Sequence, residues 1–371
     1  MTKRTTCASG GREDSSAILV LFFALALLVV TASAMDMGGA DGSGASKPRD
    51  LTGLSLRELY DMDIVQPNVL GGHTHTAGQI MLGYEYMHTH MAGLYQGSGQ
   101  VSPATVFAEG FGTVHTSMDM DMHMVDVMYA PTERLTLMAM LPYKQMTMQH
   151  LTSTHTTFVQ NADGVGDLEA MGLITILGDV HSGGRLILNL GVSFPTGSIN
   201  VHDHAEGNPN NPEVLLEYFM QMGSGTYDLL PGLTYLGDYE SWAWGAQTLE
   251  TVRFGRNDHG YRLGDDYGLS GWAAYGVTDW FAPSVRLNGQ WWNNITGDDP
   301  GLAHNTTPEA RPNLRAGRRV DLLMGLNFYV PKGFLKGNRL MIEGGFPVYQ
   351  YLSGPQLGTA WMLNVGWTYA F

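Results

Sequence analysis

A single cysteine, Cys7, is found in the 371 residues of this chain, and it sits within a leader that looks removable. The mature protein therefore has no disulfide and no thiol chemistry. Charge is scarce too: 15% of residues are charged, against about 25% in ordinary soluble domains. Formal net charge is −15 and no basic cluster occurs, which argues against nucleic acid as a partner. The longest apolar run, Ala17 to Val30, has 14 residues, short of the ~18 expected of a membrane-spanning helix. No phosphate-binding loop is present, so ATP-driven pumping is not expected, and no Ser/His/Asp or Ser/His/Asn grouping has a catalytic context. Enzymatic activity is not expected.

What is present points to a membrane crossed by strands. Lys3, Arg4 and Arg12 precede the apolar run, and Ala32-Ser33-Ala34 follows it with small–x–small spacing. Residues 1–34 read as a secretory signal peptide. Residues 35–76 read as a short, flexible periplasmic leader carrying a helix near 51–61, with Ser55 and Glu58 at capping-box spacing. Residues 77–371 read as the barrel. Its last strand alternates strictly: Trp361, Leu363, Val365, Trp367, Tyr369 and Phe371 fall on one face, Met362 and Asn364 on the other. That strand resembles the C-terminal sorting strand of bacterial outer-membrane barrels. The resemblance implies outer-membrane lipid and the barrel assembly machinery as partners.

The pattern predicts an all-β fold, a transmembrane antiparallel up-and-down β-barrel of about twelve strands. They are placed at 77–94, 111–129, 135–150, 166–177, 185–197, 224–236, 242–254, 261–275, 281–296, 318–330, 339–353 and 359–371. Long connections at Tyr95–Gly110, Leu151–Val165, Ser198–Gly223 and Gly297–Gly317 are expected at one end and short turns at the other. The connections at 255–260 and 354–358 are expected to be short external loops.

A lysine is costly against lipid, so the Lys144 face of 135–150 should line the lumen with Met138, Met140, Met146 and Met148. By the same parity Arg185 and Asn189 point inward, as do Asp321 and Asn327. Strand 77–94 places Gln79, Met81, Glu85 and Met87 on its polar side. Aromatic girdle candidates are Tyr143, Phe194, Tyr227, Tyr235, Trp242, Trp280, Phe281, Phe328, Trp367 and Phe371.

Three motifs then occur in order: Asp163-Gly-Val-Gly-Asp167-Leu168, Gly191-Val-Ser-Phe-Pro195-Thr196-Gly197 and Gly223-Ser-Gly-Thr-Tyr-Asp228-Leu-Leu-Pro-Gly232. Together they resemble the outer-membrane transporter family named for the meta pathway of phenol degradation. The resemblance implies a barrel that passes small molecules; it carries no catalytic residues. Physically, the Gly and Asp positions read as tight backbone at the outer rim, with a metal role for Asp163 and Asp167 as the alternative.

The family pattern does not explain the methionines and histidines. Met118, Met120, Met122 and Met124 share one parity, joined by Met146 and Met148 from the next strand. Thioethers favour Cu(I) and Ag(I). His88/His90 and His202/His204 are i,i+2 pairs that share a face in extended chain and suit Cu(II) or Zn(II). No cofactor is required. The expected function is passive passage of small, hydrophobic or aromatic solutes; copper or silver binding and a structural or binding barrel without transport are the alternatives.

Overall fold

The computed structural model describes residues 69–178, 183–208 and 210–371. The expected signal peptide, the leader before residue 69 with its helix, and His181 lie outside the described residues.

The wall consists of β1 (Ile80–Gly97), β2 (Thr113–Thr132), β3 (Leu135–Thr152), β4 (Leu168–Leu177), β5 (Gly184–Phe194), β6 (Asp228–Tyr239), β7 (Trp242–Arg253), β8 (Asp266–Tyr275), β9 (Phe281–Trp292), β10 (Gly317–Tyr329) and β11 (Asn338–Ala370). Each pairs antiparallel with its chain neighbour, and β11 pairs antiparallel with β1, closing the sheet. A ring whose neighbours are all antiparallel needs an even number of passes. The eleven elements satisfy this because β11 doubles back: 339–352 pairs with β10 and 352–370 with β1. Closure leaves no free edge.

Alternation decides which residues form the wall's two faces. In β3, Leu137, Leu141 and Tyr143 are exposed, whereas Thr136, Met138, Met140, Met146 and Met148 are buried. In β5, Leu190 and Phe194 are exposed while Arg185, Ile187, Asn189 and Ser193 are buried. An aliphatic outside with polar and methionine side chains inside suits a barrel in lipid, where closed β-pairing satisfies every backbone group without water. Aromatic rings collect near strand ends: Trp280, Phe281 and Phe328 form one group, with Phe281 and Phe328 centroids 5.2 Å apart.

Several boundaries differ from the alternation-based expectation. Leu151–Val165, expected to be a long loop, is largely the strand Thr157–Val165, which pairs with the far half of β3. Its side chains alternate without a clean apolar face. Tyr95–Gly110 holds a strand, Gly99–Val101, folded back on β1, and helix α1 (Pro103–Ala108), capped by Ser102. Residues 261–262 do not open β8; they pair with Thr296–Gly297 in a small loop sheet. The two last expected strands form one continuous element that reverses direction near residue 352, rather than two strands joined by a separate loop at 354–358.

Candidate functional site

The lumen is the concave feature this fold offers, and three layers of residues fill it. At the end that carries the short turns, residues 69–76 fold inward. Val69 and Leu70 pack with Met81, Met128, Met138, Met140, Met171, Leu173 and Ile187. Neutral amides hold this plug. Asn189 Nδ2 donates to the Gly71 carbonyl at 2.7 Å, and Gln247 Nε2 donates to the Leu70 carbonyl at 2.9 Å. Thr234 links the two, donating to Asn189 Oδ1 at 3.0 Å and accepting from Gln247 at 2.9 Å. Gly71 has φ +62°, and a Cβ there would lie 2.7 Å from Asn189 Nδ2, so the close approach requires glycine.

The middle layer is charged. Arg286 on β9 makes a two-pronged contact with Glu343 on β11, with Nε donating to Oε1 at 3.0 Å and Nη2 to Oε2. Asn364 donates to the same carboxylate at 3.2 Å. Arg319 and Asp321, both on β10, pair at 2.9 Å, and Gln290 donates to Asp266 at 2.8 Å. Glu85 faces Met124 and Gly366 in register on the same inward side. Parity within 281–296 and 339–353 could have revealed Arg286 and Glu343, since Val285 and Leu287 flank the arginine on the exposed face.

The third layer is a cap at the long-loop end, and here the three motifs meet. Asp167 Oδ1 accepts from the Gly197 N–H at 2.9 Å and its Oδ2 from the Ser224 N–H at 2.7 Å. Thr196 Oγ1 donates to the Gly166 carbonyl at 2.9 Å and accepts from the Leu168 N–H at 2.8 Å. Gly197 and Gly223 stack backbone on backbone: a Cβ on Gly223 would lie 2.3 Å from Asp167 Oδ1 and 2.7 Å from the Gly197 carbonyl oxygen. Asp167 thus serves as the clasp of the loop 198–223, its two oxygens engaged by backbone N–H groups. Asp163 accepts from the Tyr143 hydroxyl at 2.7 Å. The clasped loop turns Leu216, Met220 and Met222 into the lumen against Met118, Met146 and Met148. Lys144 reaches up to donate to the Met222 carbonyl at 2.9 Å.

Of the residues singled out as lumen-lining, Met81, Met138, Met140, Arg185, Asn189, Asp321, Asn327, Met362 and Asn364 are buried, and Gln79, Glu85, Met87 and Lys144 are partly buried. The methionine stripe is split. Met118, Met120, Met146 and Met148 belong to the cap layer, whereas Met124 packs against the plug layer. Met122 lies between them, opposite Met87 and Lys144.

The histidine pairs are not brought to that stripe. His88 and His90 lie on the opposite parity of β1 from Met81, Met87 and Thr89, facing outward. Their Nδ1 atoms contact Asp121 at 2.8 Å and Asp119 at 2.7 Å, and the His88 ring lies 4.8 Å from that of Trp361. His123 joins them, 2.8 Å from the Tyr84 hydroxyl. His202 and His204 lie on a two-stranded loop sheet, His202–His204 against Glu213–Leu215; the His202 ring contacts the Asn200 carbonyl and the His204 ring the Asn211 carbonyl, each at 2.9 Å. His259 and His304 tie loops together through Asp299 and Asp298.

No family model and no curated protein matches the chain. Among solved structures, the COG4313 outer membrane channel from Pseudomonas putida F1 is similar at TM-score 0.58 and 14% identity, over 82% of this chain and all (100%) of that one. The toluene transporter TodX of P. putida gives 0.41 at 10% identity over 81% and 91%, and a Pseudomonas aeruginosa FadL homologue 0.37 at 8% over 79% and 90%. At these identities the likeness is one of fold. The closed wall with its aliphatic exterior, and this fold, place the chain in a bacterial outer membrane.

Proposed function

We propose that the protein is a channel for passive passage of small solutes along its lumen, with the plug and the cap as its two constrictions. The charged layer carries this reading. Arg286, Glu343, Arg319 and Asp321 face inward within a barrel whose exterior is aliphatic. Ionised groups there are expensive unless water or a pathway reaches them.

Methionine-rich layers on either side of the charged one suit a solute with an apolar, aromatic body and one polar group, since thioethers pack adaptably against rings. The three-motif clasp supports a place beside the transporters of phenol degradation. In this reading the turn end faces the periplasm, the last arm of β11 is what the assembly machinery engages, and the barrel is a conduit with no catalytic role. Single-channel conductance and liposome swelling with benzoate-sized aromatics, against sugars of equal size, test it. Aromatic-selective swelling is expected; silence for every solute would leave a barrel without transport.

A second reading rests on register. Met118 lies directly opposite Met148, and Met120 opposite Met146, all on the inward parity. Four facing thioethers can coordinate Cu(I) or Ag(I). Titration of the purified barrel with Ag(I), against a variant with these four changed to Leu, decides it; equal binding by both would end that reading.

A further inference from the structure

Between the cap and the wall lies a cluster that the channel reading does not use. His115 on β2 is fully buried, and two loops bring carboxylates to it. Glu217, from the loop that Asp167 clasps, places Oε2 3.1 Å from His115 Nε2. Glu309, from the loop between β9 and β10, places Oε1 3.2 Å from His115 Nδ1. One donor atom from each of the three lies within 4.8 Å of the other two. His150, the cross-strand partner of His115 on β3, adds a second imidazole with its ring centroid 4.7 Å away.

The donors converge, and the ion pairs that His115 makes with both carboxylates leave buried atoms without a well-directed hydrogen bond. Both ring nitrogens of His115, Glu217 Oε2, both carboxylate oxygens of Glu309 and Nδ1 of His150 are buried, and none has a hydrogen bond of acceptable geometry. Distances of 3.1 and 3.2 Å are short enough for hydrogen bonds, so it is direction that fails. Buried polar atoms in native proteins are nearly always satisfied, and a concentration of exceptions calls for an explanation such as an ion. Buried nitrogen and oxygen donors within 4.8 Å of one another are spaced as the ligands of one cation would be.

We infer that His115, Glu217 and Glu309, with His150 as a fourth donor, form a site for a divalent ion of the zinc class. One or two imidazoles with two carboxylates is a nitrogen–oxygen set, suited to Zn(II) at ~2.0–2.2 Å from each donor and unlike the thioether set of the methionines. The ion bridges two wall strands and two separate loops. It therefore fastens the cap: with the ion bound, the loops carrying Glu217 and Glu309 are tied to β2 and β3.

The test uses the full barrel, stripped with EDTA and then given Zn(II). Heat-modifiable electrophoretic mobility shows that each protein is a closed barrel. Bound zinc is measured by equilibrium dialysis, and amide exchange across 199–222 is followed with and without zinc. Native protein is expected to hold one zinc per chain and to exchange more slowly when it does. Glu309→Gln is expected to weaken binding by at least about tenfold and to lose the zinc-dependent protection; Glu217→Gln is the second variant should Glu309→Gln fail to close. If native protein holds no zinc, or both variants bind it equally, the site is refuted and the cluster is an imidazolium between two carboxylates. Neither readout depends on conduction, so failure of the channel reading leaves this result interpretable.

Discussion

The plug and the cap close opposite ends of one lumen with the same apolar material and different fastenings. Met81, Met128, Met138 and Met140 pack against Val69 and Leu70; Met118, Met146 and Met148 pack against Leu216, Met220 and Met222. The plug is fastened by neutral amides, Asn189 and Gln247, donating to backbone carbonyls. The cap is fastened by charge: the Asp167 carboxylate on two N–H groups, Lys144 on a carbonyl, and the two glutamates at His115. Amide bonds hold at any pH and salt. Carboxylate fastenings respond to protons and cations, so the cap is the end whose opening the surroundings can set.

Deletion gives the largest test of that comparison. Ser198 can be joined to Gly223 directly, since the Gly223 N–H already donates to the Ser198 carbonyl at 3.3 Å. Removing 199–222, or 69–76, each leaves one constriction in place. Conductance should rise most when both are removed; a single deletion that matches the double would show that the other end does not obstruct. One step down are the glycines. Gly223→Ala drives a Cβ onto Asp167 and the Gly197 backbone, which cannot yield, and should loosen the cap by about 2–3 kcal/mol. Gly71→Ala meets mainly the amide of Asn189 but must hold a positive φ, at about 1–2 kcal/mol. Amide exchange at each end should show each variant freeing only its own segment.

Next is the fastening chemistry itself. Asp167→Asn keeps one acceptor and surrenders the charge, at about 1.5–3 kcal/mol to the cap, and Asn189→Ala removes the plug's bond at about 1 kcal/mol. High salt should change the first difference and leave the second alone. Acid tests the carboxylates of the cap. Burial pushes the Glu217 carboxyl up, but the His115 imidazole beside it outweighs burial and holds it below its ordinary value of 4.5. A depressed carboxylate contributes stability fully above its unfolded value and loses it as pH falls through the folded one. Exchange across 199–222 should therefore quicken as pH drops below about 4.5; no change there would refute the assignment.

Alternation made the wall legible because lipid outside and lumen inside impose a period of two over every pass. Lys144, Arg185 and Asp321 could be assigned a face from parity alone. Beyond the wall that constraint lapses: Thr157–Val165 is a strand with no apolar face to announce it, and residues 261–262, expected to open a wall strand, pair within a loop sheet instead. The three motifs were visible as tight turns, yet their purpose, one carboxylate spanning from Gly197 to Ser224, needs residues far apart in sequence. The glutamates at His115 are illegible for the same reason. Glu217 and Glu309 sit in different loops and carry no spacing signal; only the folded loops bring them to β2. The histidine pairs show the reverse failure: the spacing was correct for a shared face, and the face of His88 and His90 is the outer one.

The smallest expected effect falls on the methionines, where the two ends are most alike. Leu has nearly the volume of Met, so Met148→Leu in the cap and Met138→Leu in the plug should each change stability by less than about 1.5 kcal/mol. Packing alone predicts that the pair behave equally and that neither responds to Ag(I). Soft-ion binding predicts an asymmetry, because Met148 faces Met118 beneath the cap whereas Met138 faces Met128 beside the plug. Thermal unfolding of the two variants with and without Ag(I) reads this directly. If silver stabilises native protein and Met138→Leu but not Met148→Leu, thioether coordination belongs to the cap end and joins the carboxylates as a second cation-responsive fastening there. If silver does nothing to any of the three, methionine is present at both ends as an adaptable filler, and the difference between plug and cap lies entirely in their polar groups.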